Sequence, residues 1–125
     1  MRGLLIGLAA AGSLAACDKS LTAPDTAGVC WRLAENGPNG KPEFRPMAPG
    51  VSNLESCAVT LEGLHLRTGA PVTGGFQGRY IFVTPEDITA AFSAKSQRYR
   101  VFTPQQRAKV RQNIEILAKR ERAGG

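Results

Sequence analysis

A chain of 125 residues with 42% hydrophobic and 21% charged residues has room for one packed domain and excludes a multidomain protein. Its formal charge is +6, but the excess is concentrated: from Lys95 onward there are nine basic residues and only two acidic ones, Glu115 and Glu121. A single histidine and three cysteines leave little material for metal or triad chemistry, while a basic end selects phosphates and carboxylates as partners without bearing on the fold.

Met1 and Arg2 make a short positive start, and Gly3 to Leu14 is an uncharged stretch of Leu, Ile, Ala and Gly with one Ser. That stretch is shorter than the roughly 20 apolar residues a spanning helix needs, so it reads as the apolar part of an export signal. Its end, Leu14, Ala15, Ala16, Cys17, resembles the lipobox of bacterial lipoproteins, in which small residues precede an obligatory cysteine. The resemblance covers only residues 1–17 and implies removal of residues 1–16, lipid on the Cys17 thiol and acylation of the new amino group. One acyl chain holds a protein marginally, and two or three hold it stably. Asp18 is similar to an inner-membrane retention signal of enteric bacteria, but that rule depends on the next residue, Lys19, so inner and outer membrane both stay open.

Residues 17–28 are polar, contain Pro24 and lack helical or strand period, which predicts a flexible tether. Eleven residues from Asp18 to Gly28 reach about 35 Å extended and roughly 18 Å on average. Val29 to Leu33 predicts a short strand. Asn36 to Gly50, with four prolines and three glycines, predicts a surface loop with room at most for a brief extended piece around Glu43 to Met47. Ser52 and Glu55 have capping-box spacing, and Leu54, Cys57, Ala58, Leu61 and Leu64 share one helical face, so a helix is expected to end near Gly69 or earlier, at Gly63.

Val72 to Val83 predicts extended structure with Phe76, Tyr80 and Phe82 on one face and a bend or bulge at Gly74, Gly75 and Gly78. Thr84 and Pro85 fit the cap and first position of a short helix with Ile88, Ala91 and Phe92 inward. Gln97 to Phe102 is extended again, and Thr103, Pro104 and Gln106 open a basic final helix, about 104–121, whose apolar stripe is Val110, Ile114 and Leu117. Residues 29–125 are therefore expected to form a small α+β domain with a few short antiparallel strands, two to three helices and one disulfide.

The disulfide is expected between Cys30 and Cys57, because lipid occupies Cys17 and an exported chain matures where disulfides persist. The pair lacks the close spacing of thiol oxidoreductases, so a structural bond is favoured over a redox one. His65 sits between Leu64 and Leu66, away from any zinc spacing or nucleophile elbow, and reads as a boundary or surface histidine at the helix end. Glu86 and Asp87 complement a helix dipole more simply than they make an acid and base pair. The glycines from 74 to 78 lack the lysine and following helix of a phosphate loop. Neither a catalytic group, a metal nor a cofactor is expected.

Arginine and tyrosine alternate at Arg79, Tyr80, Arg98, Tyr99 and Arg100, and continue into Arg107, Lys109 and Arg111. In a cytosolic chain this pattern suits nucleic acid; behind an export signal it suits lipid headgroups, cell-wall carboxylates or acidic proteins. These six basic residues, Arg79, Arg98, Arg100, Arg107, Lys109 and Arg111, are the candidate contacts to an anionic partner, although the cations of the last helix spread around its polar side as on a solvated face. The expectation is a periplasm-facing envelope lipoprotein acting as a non-catalytic binding or assembly module. It would contact an anionic envelope surface or another envelope protein. Alternatives are an accessory subunit of a larger membrane complex and a cell-wall or lipid-modifying enzyme.

Overall fold

The computed structural model describes residues 21–124. Six strands and two helices follow one another as β1 (Cys30–Ala34), β2 (Glu43–Ala48), α1 (Leu54–Thr68), β3 (Val72–Phe76), β4 (Arg79–Val83), β5 (Ile88–Ala91), β6 (Tyr99–Arg100) and α2 (Pro104–Gly124). The strands form one antiparallel sheet in the order β2-β1-β3-β4-β5-β6. This is the small α+β domain with one disulfide that the sequence suggests. The proline-rich segment contributes a full edge strand, and Pro46 is tolerated there because an edge position needs no second ladder donor.

Helix α1 crosses from β2 to β3, which flank β1, and covers one face of the sheet. Its buried face includes Leu54, Cys57, Ala58 and Leu61, which meet Cys30, Phe76, Ile81, Val83, Ile88 and Ala90 in a single core. Asn53 is the N-cap, its side chain accepting from the Ser56 N–H at 2.8 Å, one residue past the expected Ser52. Gly69 closes the helix in the left-handed conformation (φ 74°) and donates to the His65 carbonyl. His65 is buried, and the 2.6 Å contact from its Nδ1 to the Ala70 carbonyl requires the proton on Nδ1. The Cys30–Cys57 disulfide, with Cα atoms 5.3 Å apart, ties the middle of the sheet to α1. Loop closure across a sequence separation of 27 contributes roughly 3 to 4 kcal/mol in the chain-entropy account.

Two local expectations are overturned. Phe76 does not share a face with Tyr80 and Phe82. A two-residue turn at Gln77 and Gly78, both with positive φ, pairs Phe76 with Arg79, so the alternation restarts in the opposite phase after the turn. Phe76 enters the core under α1, whereas Tyr80 stacks with Phe82 and meets Phe44 edge-on on the other face.

The helix expected after Thr84 is strand β5. Thr84 does accept from the Asp87 N–H through its hydroxyl at 3.1 Å, as an N-cap would, but it also donates its own N–H to the Asp87 carbonyl at 3.0 Å. The four residues therefore close a turn, and Val83 and Ile88 pair directly after it. Pairing with β4 on one side and β6 on the other gives ladder partners to a segment too short to make a stable helix.

The face opposite α1 carries Phe44, Tyr80 and Phe82, and residues 21–28 lie against it. Ala23 is 3% exposed, its N–H donates to the Tyr80 hydroxyl, and that hydroxyl donates to the Leu21 carbonyl. Gly78 N–H to the Pro24 carbonyl and Gly28 N–H to Gln77 complete the strap. The last eight residues of the segment expected as a tether thus rest on the sheet; residues 17–20 lie outside the described part.

Helix α2 opens with a reciprocal capping box, Thr103 N–H to Gln106 and Gln106 N–H to the Thr103 hydroxyl, with Pro104 in the first turn. Its main neighbour among the elements is α1. Val110 and Ile114 of the expected stripe are half-buried, but Leu117 remains 55% exposed.

Candidate anion-binding surface

The six candidate cations separate into groups with different surroundings. Arg107 is buried and ion-paired: its Nε donates to Glu62 Oε2 at 2.7 Å and its Nη2 to Glu62 Oε1 at 3.1 Å. Two carbonyls of the β4–β5 turn, Thr84 and Pro85, take two more of its donors. Arg111 reaches the same carboxylate at 3.1 Å. Burial alone pushes the Glu62 carboxyl up, but the hydrogen bonds and charge of Arg107, and then of Arg111, outweigh it and hold the group below its ordinary value. These two arginines already have their anion. Glu62 itself is missing from the sequence-based site; its place beside Leu61 and Ala58 on the buried face of α1, with no partner in its own helix, is the signal that points to a distant cation.

Lys109 stands apart, exposed on the outer side of α2 beside Gln105 and Gln112. Arg98 lies over the Phe82 ring at 3.6 Å. Arg79 and Arg100 come together at the end of the sheet where α1 begins. There Ser52, Asn53, Glu55, Gln77, Tyr99 and the two arginines line a polar cleft of about 430 Å³. Arg79 lies 4.7 Å from the Phe92 ring centroid and reaches the Tyr99 hydroxyl at 3.5 Å, and the Phe92 and Tyr99 rings are 5.8 Å apart. Strand β4 holds Arg79, the short β6 holds Tyr99 and Arg100, and β5 between them brings the three to one edge.

On the other side of Phe92 a second groove, about 480 Å³, is lined by Leu21, Gly78, Tyr80, Phe92, Ala94 and Lys95 among others. Phe92 is 63% exposed and Leu21 41%. From Ile88 to Ile114 the chain contains no carboxylate, so Arg79, Lys95, Arg98 and Arg100 form a cationic edge whose near acids come from elsewhere: Glu55 in the cleft and Asp25 beside Gly78.

No family model, characterised protein or solved structure matches the chain.

Among the described residues no three His, Cys, Asp or Glu side chains are grouped to hold a metal, and no helix is long and apolar enough to cross a membrane. Cys30 and Cys57 are joined to each other. Cys17 lies outside the described residues. The arrangement at the sheet edge offers cations, hydroxyls and aromatic faces at an open surface, which suits reversible recognition of an anion.

Proposed function

We propose that the chain is an envelope lipoprotein, held at a membrane by lipid on Cys17 and facing the periplasm, that works as a non-catalytic binding or assembly module. The observation that carries this reading is the lipobox-like run Leu14 to Cys17 behind a short apolar leader. The Cys30–Cys57 bond agrees with maturation in an oxidising compartment. Recognition falls to the sheet edge with Arg79, Arg98 and Arg100, because Arg107 is buried against the Glu62 carboxylate and Arg111 is held to that same carboxylate.

Intact mass of the protein from its host membranes, before and after reduction and alkylation, tests the reading. The expected species begins at Cys17, carries acyl mass and takes up alkylating reagent only after reduction. A full-length chain without lipid and with three free thiols would overturn it, and would return the basic edge to consideration as a cytosolic surface for nucleic acid.

A further inference from the structure

We infer that the edge bearing Leu21, Phe92 and Lys95, with Arg79 and Arg98 beside it, docks on the anionic headgroups of the bilayer that holds the anchor. The inference rests on the lipid anchor proposed above and adds an orientation and a ligand chemistry to it.

The first argument is reach. Three residues separate Cys17 from Leu21, and the four Cα-to-Cα steps between them span at most about 14 Å. Leu21 is not free to swing on a longer leash, because the Tyr80 hydroxyl bonds its carbonyl and Ala23 is buried against the sheet. A lipid on Cys17 therefore brings the surface around Leu21 to the headgroup layer, and the side of α2 that bears Lys109 does not share in that placement.

The second argument is what that surface carries. Phe92 is the most exposed of the large apolar side chains among the described residues, at 63%. It is backed by the Arg79 guanidinium and the Tyr99 ring, which present it outward from a fixed support. Leu21, at 41%, shares a groove with it, and Lys95 lines the same groove. Apolar and aromatic side chains ringed by cations bury themselves at the acyl boundary while the cations meet lipid phosphates. Each basic residue near such a surface adds attraction to anionic lipid, and salt removes that contribution.

The test uses the full chain, lipidated, in vesicles of phosphatidylcholine with or without phosphatidylglycerol, the acyl chains brominated. Phe92→Trp places a fluorophore at the contact, and Leu117→Trp places one on exposed α2 as the control; Trp31, present in both, cancels on subtraction of the unsubstituted protein. Emission from the tryptophan introduced at position 92 is expected to shift to the blue and fall about two-fold on anionic vesicles. The signal should recover in high salt, and Leu117→Trp should stay unquenched. Quenching equal on neutral vesicles would overturn recognition of anionic lipid. No quenching in a sample whose mass shows the acyl chains would overturn the docking while leaving the anchor standing, and would turn attention to an acidic protein partner. A mass without acyl chains would overturn anchor and docking together.

Discussion

Glu62 is fully buried in the middle of α1 with its charge balanced by Arg107, which is 7% exposed. Removing one member of such a pair leaves the other charged and stranded, at a cost of about 3 to 5 kcal/mol, so Glu62→Ala is expected to lower unfolding free energy by that amount in denaturant titrations. The same pair sets an acid sensitivity. The folded-state carboxyl titrates below its unfolded value, so its contribution is fully present above about pH 4.3 and is lost as pH falls through the depressed folded value. Unfolding followed between neutral pH and the acid side should show stability decreasing below that point, and Glu62→Gln should flatten this part of the profile. A Glu62→Gln profile as steep as the parent's would assign the acid loss to other carboxylates.

The elements meet most closely where α1 crosses β3. A Cβ at Gly74 would stand 2.5 Å from the Trp31 carbonyl oxygen and 2.5 Å from Leu61 Cδ1, so the glycine is what lets Leu61 settle onto the sheet. Within α1 itself, a Cβ at Gly63 would meet nothing nearer than the flexible end of Arg67 at 3.7 Å. The two glycines should therefore respond oppositely to alanine. Gly74→Ala is expected to destabilise by about 1 to 3 kcal/mol through overpacking against backbone. Gly63→Ala should stabilise by up to about 1 kcal/mol through helix propensity. Thermal melts of both variants check the pair, and similar shifts in the same direction would sink the distinction. The helix runs through Gly63 despite this propensity cost because Cys57, Ala58, Leu61 and His65 on either side of it are held by the core.

Across the molecule, order is graded. The disulfide, α1 and the central strands share one core, while α2 adds Arg107 as its only buried residue and leaves Ile116 and Leu117 about half exposed. A helix fastened chiefly through its first two turns frays from the other end at a free energy well below that of global unfolding. Hydrogen exchange should find amides from 116 to 123 weakly protected and those of Leu61, Ile81 and Val83 protected to the global limit. Uniform protection along α2 would show that its outer half packs more firmly than Val110 and Ile114 provide. Fastening at one end also explains why a helix with six basic residues can remain a solvated arm while recognition is assigned to the sheet edge.

Local patterns in the chain were enough to define the helix α1 and its apolar face except for Leu64, which is only half-buried, the capping of α2 by Thr103 and Gln106, and the Cys30–Cys57 pairing, because each depends on periodicity, a cap or an elimination among three cysteines. Tertiary structure alone decided the segment after Thr84, where strand pairing with β4 prevailed over a cap-like Thr-Pro start. It also decided the faces of Phe76 and Tyr80, whose relation inverted across a two-residue turn that period counting does not register. The same holds for the basic residues. Charge along a chain adds without regard to distant neighbours, but Glu62 lies 45 residues before Arg107 and only the packing of α2 on α1 joins them. Which cations remain available is set by that contact, since a buried carboxylate takes the nearest guanidinium groups and leaves Arg79, Lys95, Arg98 and Arg100 at the open edge.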